Sequence, residues 1–258
     1  MLNISSLNPQ PPGFGRCGEC PYYETAPPAL CFSCARRSLE NVSKRRCERC
    51  DLPLEPAESC GNPLCTSIIR QFDCNYAIAI KSGSLDGAIK RFKFDDKKGW
   101  AKIFARVLVG FLEEESEIFD TFDLIIASPT FTSRNPIDRS WDHTRLVIET
   151  AHAESRGRWP FDVGYPKPAI IKTKRTTSMT NKKWKERQAI AHGQLRASLT
   201  IPDKSRIKGK SILVYDDVFT DGHTLNEVAR CLKYDGGAVD VCGVTLARQP
   251  WTRKATAS

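Results

Sequence analysis

The 258-residue sequence contains no apolar run approaching the roughly 20 residues that would span a bilayer; its best stretches are residues 101–112 and 212–215. Membrane insertion is therefore not expected. A basic segment followed by an apolar one is also missing at the start, where residues 1–15 are polar and proline-containing, so no secretory signal is expected and the chain is placed in the cytoplasm. There is no low-complexity tract and no internal repeat beyond two cysteine clusters. Acidic residues are in the minority, 30 against 39 Lys and Arg, and the formal charge of +9 suits a polyanionic partner, either nucleic acid or a phosphorylated small molecule. With 40% hydrophobic and 27% charged residues, a long disordered chain is excluded, and the length accommodates one medium domain and one small one.

What the sequence does have is cysteine, and it is unevenly placed. Of eleven cysteines, eight fall between positions 17 and 65, as Cys17-x2-Cys20-x10-Cys31-x2-Cys34 and Cys47-x2-Cys50-x9-Cys60-x4-Cys65. A Cys-x2-Cys turn points two thiolates at one centre, and two turns complete a tetrahedral sulfur shell, so two structural zinc ions are expected. Iron–sulfur ligation or a disulfide knot fits less well, the latter because it needs an oxidising compartment. Sequential pairing of the two groups of four is simplest; an interleaved pairing stays open. Residues 13–66 hold few large aliphatics and need metal to fold, within a zinc-binding module expected over residues 13–70. Between the clusters, Arg36, Arg37, Lys44, Arg45 and Arg46 face only Glu40, and read either as a solvated surface or as a nucleic-acid-facing patch. Cys74 is left over, while Cys231 and Cys242 read as small buried hydrophobes.

From residue 75 to 248 short apolar runs alternate with amphipathic ones. Strands are expected at 76–81, 124–128, 169–172, 211–215 and 239–247, and helices at 85–94, 99–115, 141–154, 185–195 and 224–234. That alternation predicts an α/β domain with a parallel sheet covered by helices. Residues 151–168 read as a loop or arm, and the chain from residue 248 or 249 to 258 as a flexible tail.

The most informative stretch is residues 212–224, Ile-Leu-Val-Tyr-Asp-Asp-Val-Phe-Thr-Asp-Gly-His-Thr, leading into a helix. Ligands of open parallel sheets bind beyond the carboxyl ends of the strands, and here an apolar strand ends in two carboxylates, a small-residue turn and a helix start. Thr220, Gly222 and Thr224 can offer hydroxyls and N–H groups to an anion there, where the helix dipole also favours negative charge. Asp216 and Asp217 are placed to accept hydrogen bonds from vicinal hydroxyls; a phosphate next to a diol describes a ribose 5-phosphate.

This stretch resembles the signature of the type I phosphoribosyltransferases. The resemblance implies that Asp216 and Asp217 contact the ribose hydroxyls of phosphoribosyl pyrophosphate (PRPP), and that Thr220, Asp221, Gly222, His223 and Thr224 hold its 5-phosphate. Asp221 departs from the Thr, Ser or small residue usual at its position, and would weaken phosphate binding unless it turns outward. A pyrophosphate loop is expected at Ser128, Pro129 and Thr130, with Arg134 and Arg139 following, and a mobile hood over residues 167–187, with Lys174 and Arg175 at the substrate. Joined to a cysteine-rich zinc module, such a domain resembles the ComF family of competence-associated proteins, a likeness covering residues 17–247. Residues 88–94 resemble that family's basic helix, and residues 175–187 its Arg-x-Thr…Arg stretch. Arg139-Ser140-Trp141-Asp142-His143 resembles its Arg-Gly-aromatic-Asn-Gln, with glycine replaced by Ser140 and Asn-Gln by Asp142-His143; the Gln expected near Thr180 is absent.

Two functions follow from the resemblance. One is Mg2+-dependent transfer of phosphoribosyl from PRPP, or a related sugar phosphate, to a nitrogen acceptor, with the metal held mostly by substrate oxygens. The other is single-stranded nucleic-acid binding in DNA uptake or processing, with Trp184 stacking a base within the basic hood and the pocket binding or sensing PRPP without turnover. Of the four histidines only His223 has a claim from the motif; His143, His152 and His192 read as packing or surface groups. Protein partners are not legible.

Overall fold

The computed structural model describes residues 31–95, 97–133, 135, 140–164 and 166–250. Four strands form one all-parallel sheet: β1 (Asn75–Ile80), β2 (Leu124–Ala127), β5 (Ser211–Phe219) and β6 (Asp240–Arg248), in the order β1-β6-β5-β2. Register pairs Tyr215 with Val244 and Ala127, which places the β5 carboxylates at the carboxyl edge of the sheet. A separate antiparallel pair joins β3 (Ile171–Lys172) to β4 (Leu199–Thr200). The α/β architecture and the parallel sheet expected from the alternation are present, with β5 longer than its apolar run and β6 shifted by one residue from 239–247. Polar Asp216 and Asp217 lie inside β5, and Arg248 inside β6. Backbone pairing with neighbours extends a strand past the point where its hydrophobic pattern ends.

One face of the sheet carries α3 (Gly83–Phe94), α4 (Trp100–Glu114), the short α5 (Ser116–Phe119) and α6 (His143–Glu154). Helix α4 is apolar on nearly all sides and buries twelve of its fifteen residues, because it lies between the sheet and a further helix, α1 (Phe32–Arg37). The two helices meet at Gly110, where a Cβ would stand 2.6 Å from the carbonyl oxygen of Phe32. Arg106, inside α4, is buried and donates to Glu154 of α6 at 2.7 Å, so this charge is paired. Phe92, Phe104, Phe119 and Tyr215 fill the space beneath.

The opposite face is covered differently. Helix α8 (His223–Arg230), ending in a π-helical turn over Cys231–Asp235, packs beside the loops that carry Cys47, Cys50 and Cys65 and the short α2 (Pro63–Thr66). Cys47, Cys50, Leu52, Leu64 and Cys65 share one apolar cluster with Ile212, Val214, Phe219 and Leu225. The second cysteine group is thus built onto the sheet rather than tethered to it. Helix α7 (Trp184–Ile190) and the π turn Ala191–Leu195 complete this face by docking on α8. No helix among the described residues is long and apolar enough to cross a membrane.

Candidate functional site

Cys47 and Cys50 occupy a tight turn: the Cys47 N–H donates to the Leu52 carbonyl at 2.9 Å and the Asp51 N–H returns to the Cys47 carbonyl at 2.9 Å. Cys60 comes from the loop before α2 and Cys65 from α2 itself, whose start is capped by the Asn62 side chain accepting from the Leu64 N–H at 3.1 Å. Sulfur-to-sulfur distances are 3.9 Å for Cys47–Cys65 and 3.6 Å for Cys50–Cys60, and all four sulfurs lie within 4.8 Å of one another. A tetrahedral zinc with bonds of about 2.3 Å would have edges of about 3.8 Å, so this all-sulfur donor set fits zinc, with no position left for substrate. The four sulfurs therefore realise one half of the sequential pairing. Of the other group, Cys31 and Cys34 lie at the start of α1, while Cys17 and Cys20 fall outside the described residues.

Crossing the sheet to its carboxyl edge, a cavity of about 470 Å³ opens above β5. Asp216, Asp217, Thr220, Asp221, Gly222, His223 and Thr224 line it, and so do Ser128, Pro129 and Thr130 from the loop after β2. Lys174 and Arg175 are exposed and do not line it; Arg134 and Arg139 fall outside the described residues. Gly222 holds φ +91°, and a Cβ there would meet the Phe219 ring at 2.6 Å, so both conformation and space require glycine.

Successive strand residues face opposite sides, yet both Asp216 and Asp217 line the cavity at the end of β5. Asp217 is 5% exposed and turns toward the α3 and α6 side, where it forms an ion pair with Lys93 and meets His143 Nε2 at 3.1 Å. His143 Nδ1 in turn lies 3.5 Å from Thr130 Oγ1, so a polar chain runs from α3 through the acidic strand to the loop after β2. Asp142 anchors the same loop from below. One of its oxygens accepts from the Arg145 N–H and the Thr144 hydroxyl, the other from the Thr130 N–H at 3.3 Å, and burial pushes its carboxyl up from the ordinary value. Residues 142 and 143, where the sequence departs from the Asn-Gln of its resemblance, thus do structural work at the site, and His143 is more than a packing group.

Asp221 does not turn outward. It is 7% exposed, its Oδ1 accepts from the His223 N–H at 3.3 Å, and its Oδ2 meets Arg187 Nη1 at 3.3 Å. A carboxylate of the chain itself therefore sits at the start of α8, where the dipole favours an anion. Arg187 comes from α7, so the segment expected to be a mobile hood is docked on the loop. Trp184 packs against His223 with ring centroids 5.0 Å apart, and His192 lies 3.4 Å from Glu227. His223 is 1% exposed and neither ring nitrogen has a partner among the described residues; burial holds its pKa below the ordinary 6.5.

Other lining residues escaped the sequence reading. Lys81 and Lys90 both pair with Asp86, at 2.9 and 2.7 Å, and these bonds hold the Asp86 carboxyl below its usual range. Among the described residues, four cations (Lys81, Lys90, Lys93, Arg187) and four carboxylates (Asp86, Asp216, Asp217, Asp221) line the cavity. A helix reading Lys-Arg-Phe-Lys at 90–93 was the available signal for two of the cations. In the basic stretch between the clusters, Arg36 lies 3.5 Å from Glu114 and over the Phe111 ring, and Arg46 pairs with Asp51 at 3.1 Å. No family model matches the chain, and no curated protein matches it.

Proposed function

We propose that the chain is a phosphoribosyltransferase-like protein of the ComF kind, whose cavity binds PRPP with Mg2+ and positions it for transfer to a nitrogen acceptor. The observation that carries this reading is the convergence, at the carboxyl edge of a parallel sheet, of Asp216, the glycine-pivoted loop 220–224 and the loop 128–130 around one cavity. Asp216 is the carboxylate for the ribose hydroxyls. Asp217, tied to Lys93 and His143, is a positioning residue that fixes the strand beneath. The N–H groups of loop 220–224 receive the 5-phosphate, and Arg187 passes from Asp221 to the incoming phosphate as it binds.

The carboxylates along the cavity wall argue for the cation. Four carboxylates among the described lining residues oppose a polyanion, and they are hard oxygen donors of the kind Mg2+ prefers. When bound, Mg2+ would neutralise pyrophosphate as it leaves C1. The chain's part is to hold the ribose through Asp216, to present Ser128 and Thr130 to the pyrophosphate, and to keep water out with the docked α7. Nucleic-acid binding draws less support, since Arg36 and Arg46 of the basic stretch are engaged within the fold.

Calorimetric titration of metal-loaded protein with PRPP tests the reading. Binding that requires Mg2+ and is lost in Asp216→Asn is expected. Pyrophosphate release on adding purine or pyrimidine bases would then establish transfer, and absence of binding by folded Asp216-intact protein would end the proposal.

A further inference from the structure

Arg248 is fully buried; the buried Asp51 carboxylate acts on it electrostatically but forms its ion pair with Arg46, at 3.1 Å. Its guanidinium is nonetheless saturated. Nε donates to the Cys50 carbonyl at 2.8 Å, Nη1 reaches the carbonyls of Phe219, Thr220 and Gln249 at 3.1, 2.8 and 2.7 Å, and Nη2 points at the Cys50 sulfur from 3.6 Å. The cation also lies over the Phe219 ring, 4.9 Å from its centroid. Carbonyl dipoles solvate a buried charge without neutralising it, and an uncompensated buried cation is costly. The one source of negative charge touching this guanidinium is the Cys50 sulfur of the four-cysteine cluster. Four thiolates on one divalent ion leave a formal surplus of two negative charges, a counter-charge in direct contact with Arg248, whereas the Asp51 carboxylate is engaged by Arg46.

The same two regions are joined a second time. Asn62, also fully buried and seated between Cys60 and Cys65, donates through Nδ2 to the Asp221 carbonyl at 3.1 Å. Thr220 and Asp221 open the loop that lines the cavity, so its first two carbonyls are held by one residue bonded to a metal-ligand sulfur and by another lying between two ligands.

We propose that the metal–tetrathiolate at Cys47, Cys50, Cys60 and Cys65 is the electrostatic partner of Arg248, and that through Arg248 and Asn62 its occupancy sets the conformation of the ligand loop 220–224. Arg248 is a positioning residue acting on that loop from behind. The metal is therefore part of the cavity's construction, although it stands on the far side of the loop and offers no coordination site to a ligand. Nothing in this coupling depends on which ligand the cavity takes.

Cobalt(II) replaces zinc as a spectroscopic probe in full-length protein, and Arg248→Lys and Arg248→Met are compared with the parent and with Asn62→Ala. The sulfur-to-cobalt charge-transfer band is expected to shift in both Arg248 variants, because the N–H···S contact is lost, and to stay in place in Asn62→Ala. Metal release to a chelator is expected to accelerate about tenfold or more in Arg248→Met, with partial rescue in Arg248→Lys. Amide exchange of residues 219–224, measured by mass spectrometry, is expected to rise on metal removal and in all three variants, while helix α4 stays protected. An unmoved band together with unchanged loop exchange would overturn the proposal. So would exchange rising equally in α4, since the metal would then hold the whole fold and not this loop. Neither readout uses PRPP, so failure of PRPP binding leaves this result standing, and the converse also holds.

Discussion

The two faces of the central sheet are stabilised in different ways. On the α4 side, burial is mostly apolar, and the buried cation Arg106 has a carboxylate on the adjoining helix. On the α8 side, apolar contacts are interrupted by four cysteines, Arg248, Asn62, Asp221, His223 and Glu227, each buried or nearly so. An apolar face is robust and chemically inert. A face of buried polar groups stays folded only while each group has its partner, and so it can respond to what binds there. The carboxyl edge of β5, where the cavity opens, lies between these two regimes.

Equal cuts on the two faces would separate them most strongly. Leu108→Ala, at a position with no exposure, is expected to cost about 3 kcal/mol in denaturant unfolding whether or not metal is present, because it leaves a cavity in α4. Cys50→Ala removes a smaller side chain yet is expected to cost at least as much with metal and nearly nothing further after chelation. Equal metal dependence in the two variants would erase the contrast.

Lys93→Met tests the polar line from α3 to the loop after β2 on the apolar side. It strands the Asp217 carboxylate at 5% exposure with His143 alone, and a loss of about 2 kcal/mol in denaturant unfolding is expected. A smaller effect belongs to Asp221→Thr. Removing the chain's own anion from the start of α8 is expected to tighten PRPP binding by about tenfold, or about 1.4 kcal/mol, in calorimetry. Weaker binding would show that Asp221 serves the ligand rather than competing with it.

The smallest effect concerns pH. Burial lowers the pKa of His223 below 6.5, so the unfolded chain takes up a proton before the folded one does; the neutral ring's contribution is complete above pH 6.5 and is lost as pH falls toward the folded value. Parent protein is therefore expected to lose stability on the acid side more steeply than His223→Gln, by less than about 1 kcal/mol at pH 6. Parallel stability curves would remove His223 from the acid limb.

Much of this organisation is legible in one dimension, and the limits fall at particular residues. Alternating apolar runs located all four sheet strands, because hydrophobic periodicity is a local property of the chain. Spacing alone grouped Cys47, Cys50, Cys60 and Cys65, because two short turns can bring four sulfurs together with little help from the rest of the fold. Motif pattern gathered residues 216–224 and 128–130 as candidates for one site, and they share one cavity.

The residues that escaped are those whose partners are remote. Lys93 reaches Asp217 across 124 positions, and His143 reaches it across 74. Arg248 sat in what read as the start of a loose tail, since a single arginine after an apolar strand carries no local sign of burial; only pairing of β6 with β5 brings it to Phe219 and Cys50. Asp221 would weaken phosphate binding unless it turned outward, and the sequence left its direction open; the docking of α7, which supplies Arg187, holds it inward. The sequence by itself determined the element order, the four-sulfur cluster and the candidate loops, all of which rest on contacts between near neighbours in the chain. The tertiary structure alone decided which charges are buried and what compensates them, because that balance is set by groups the chain brings together only when it folds.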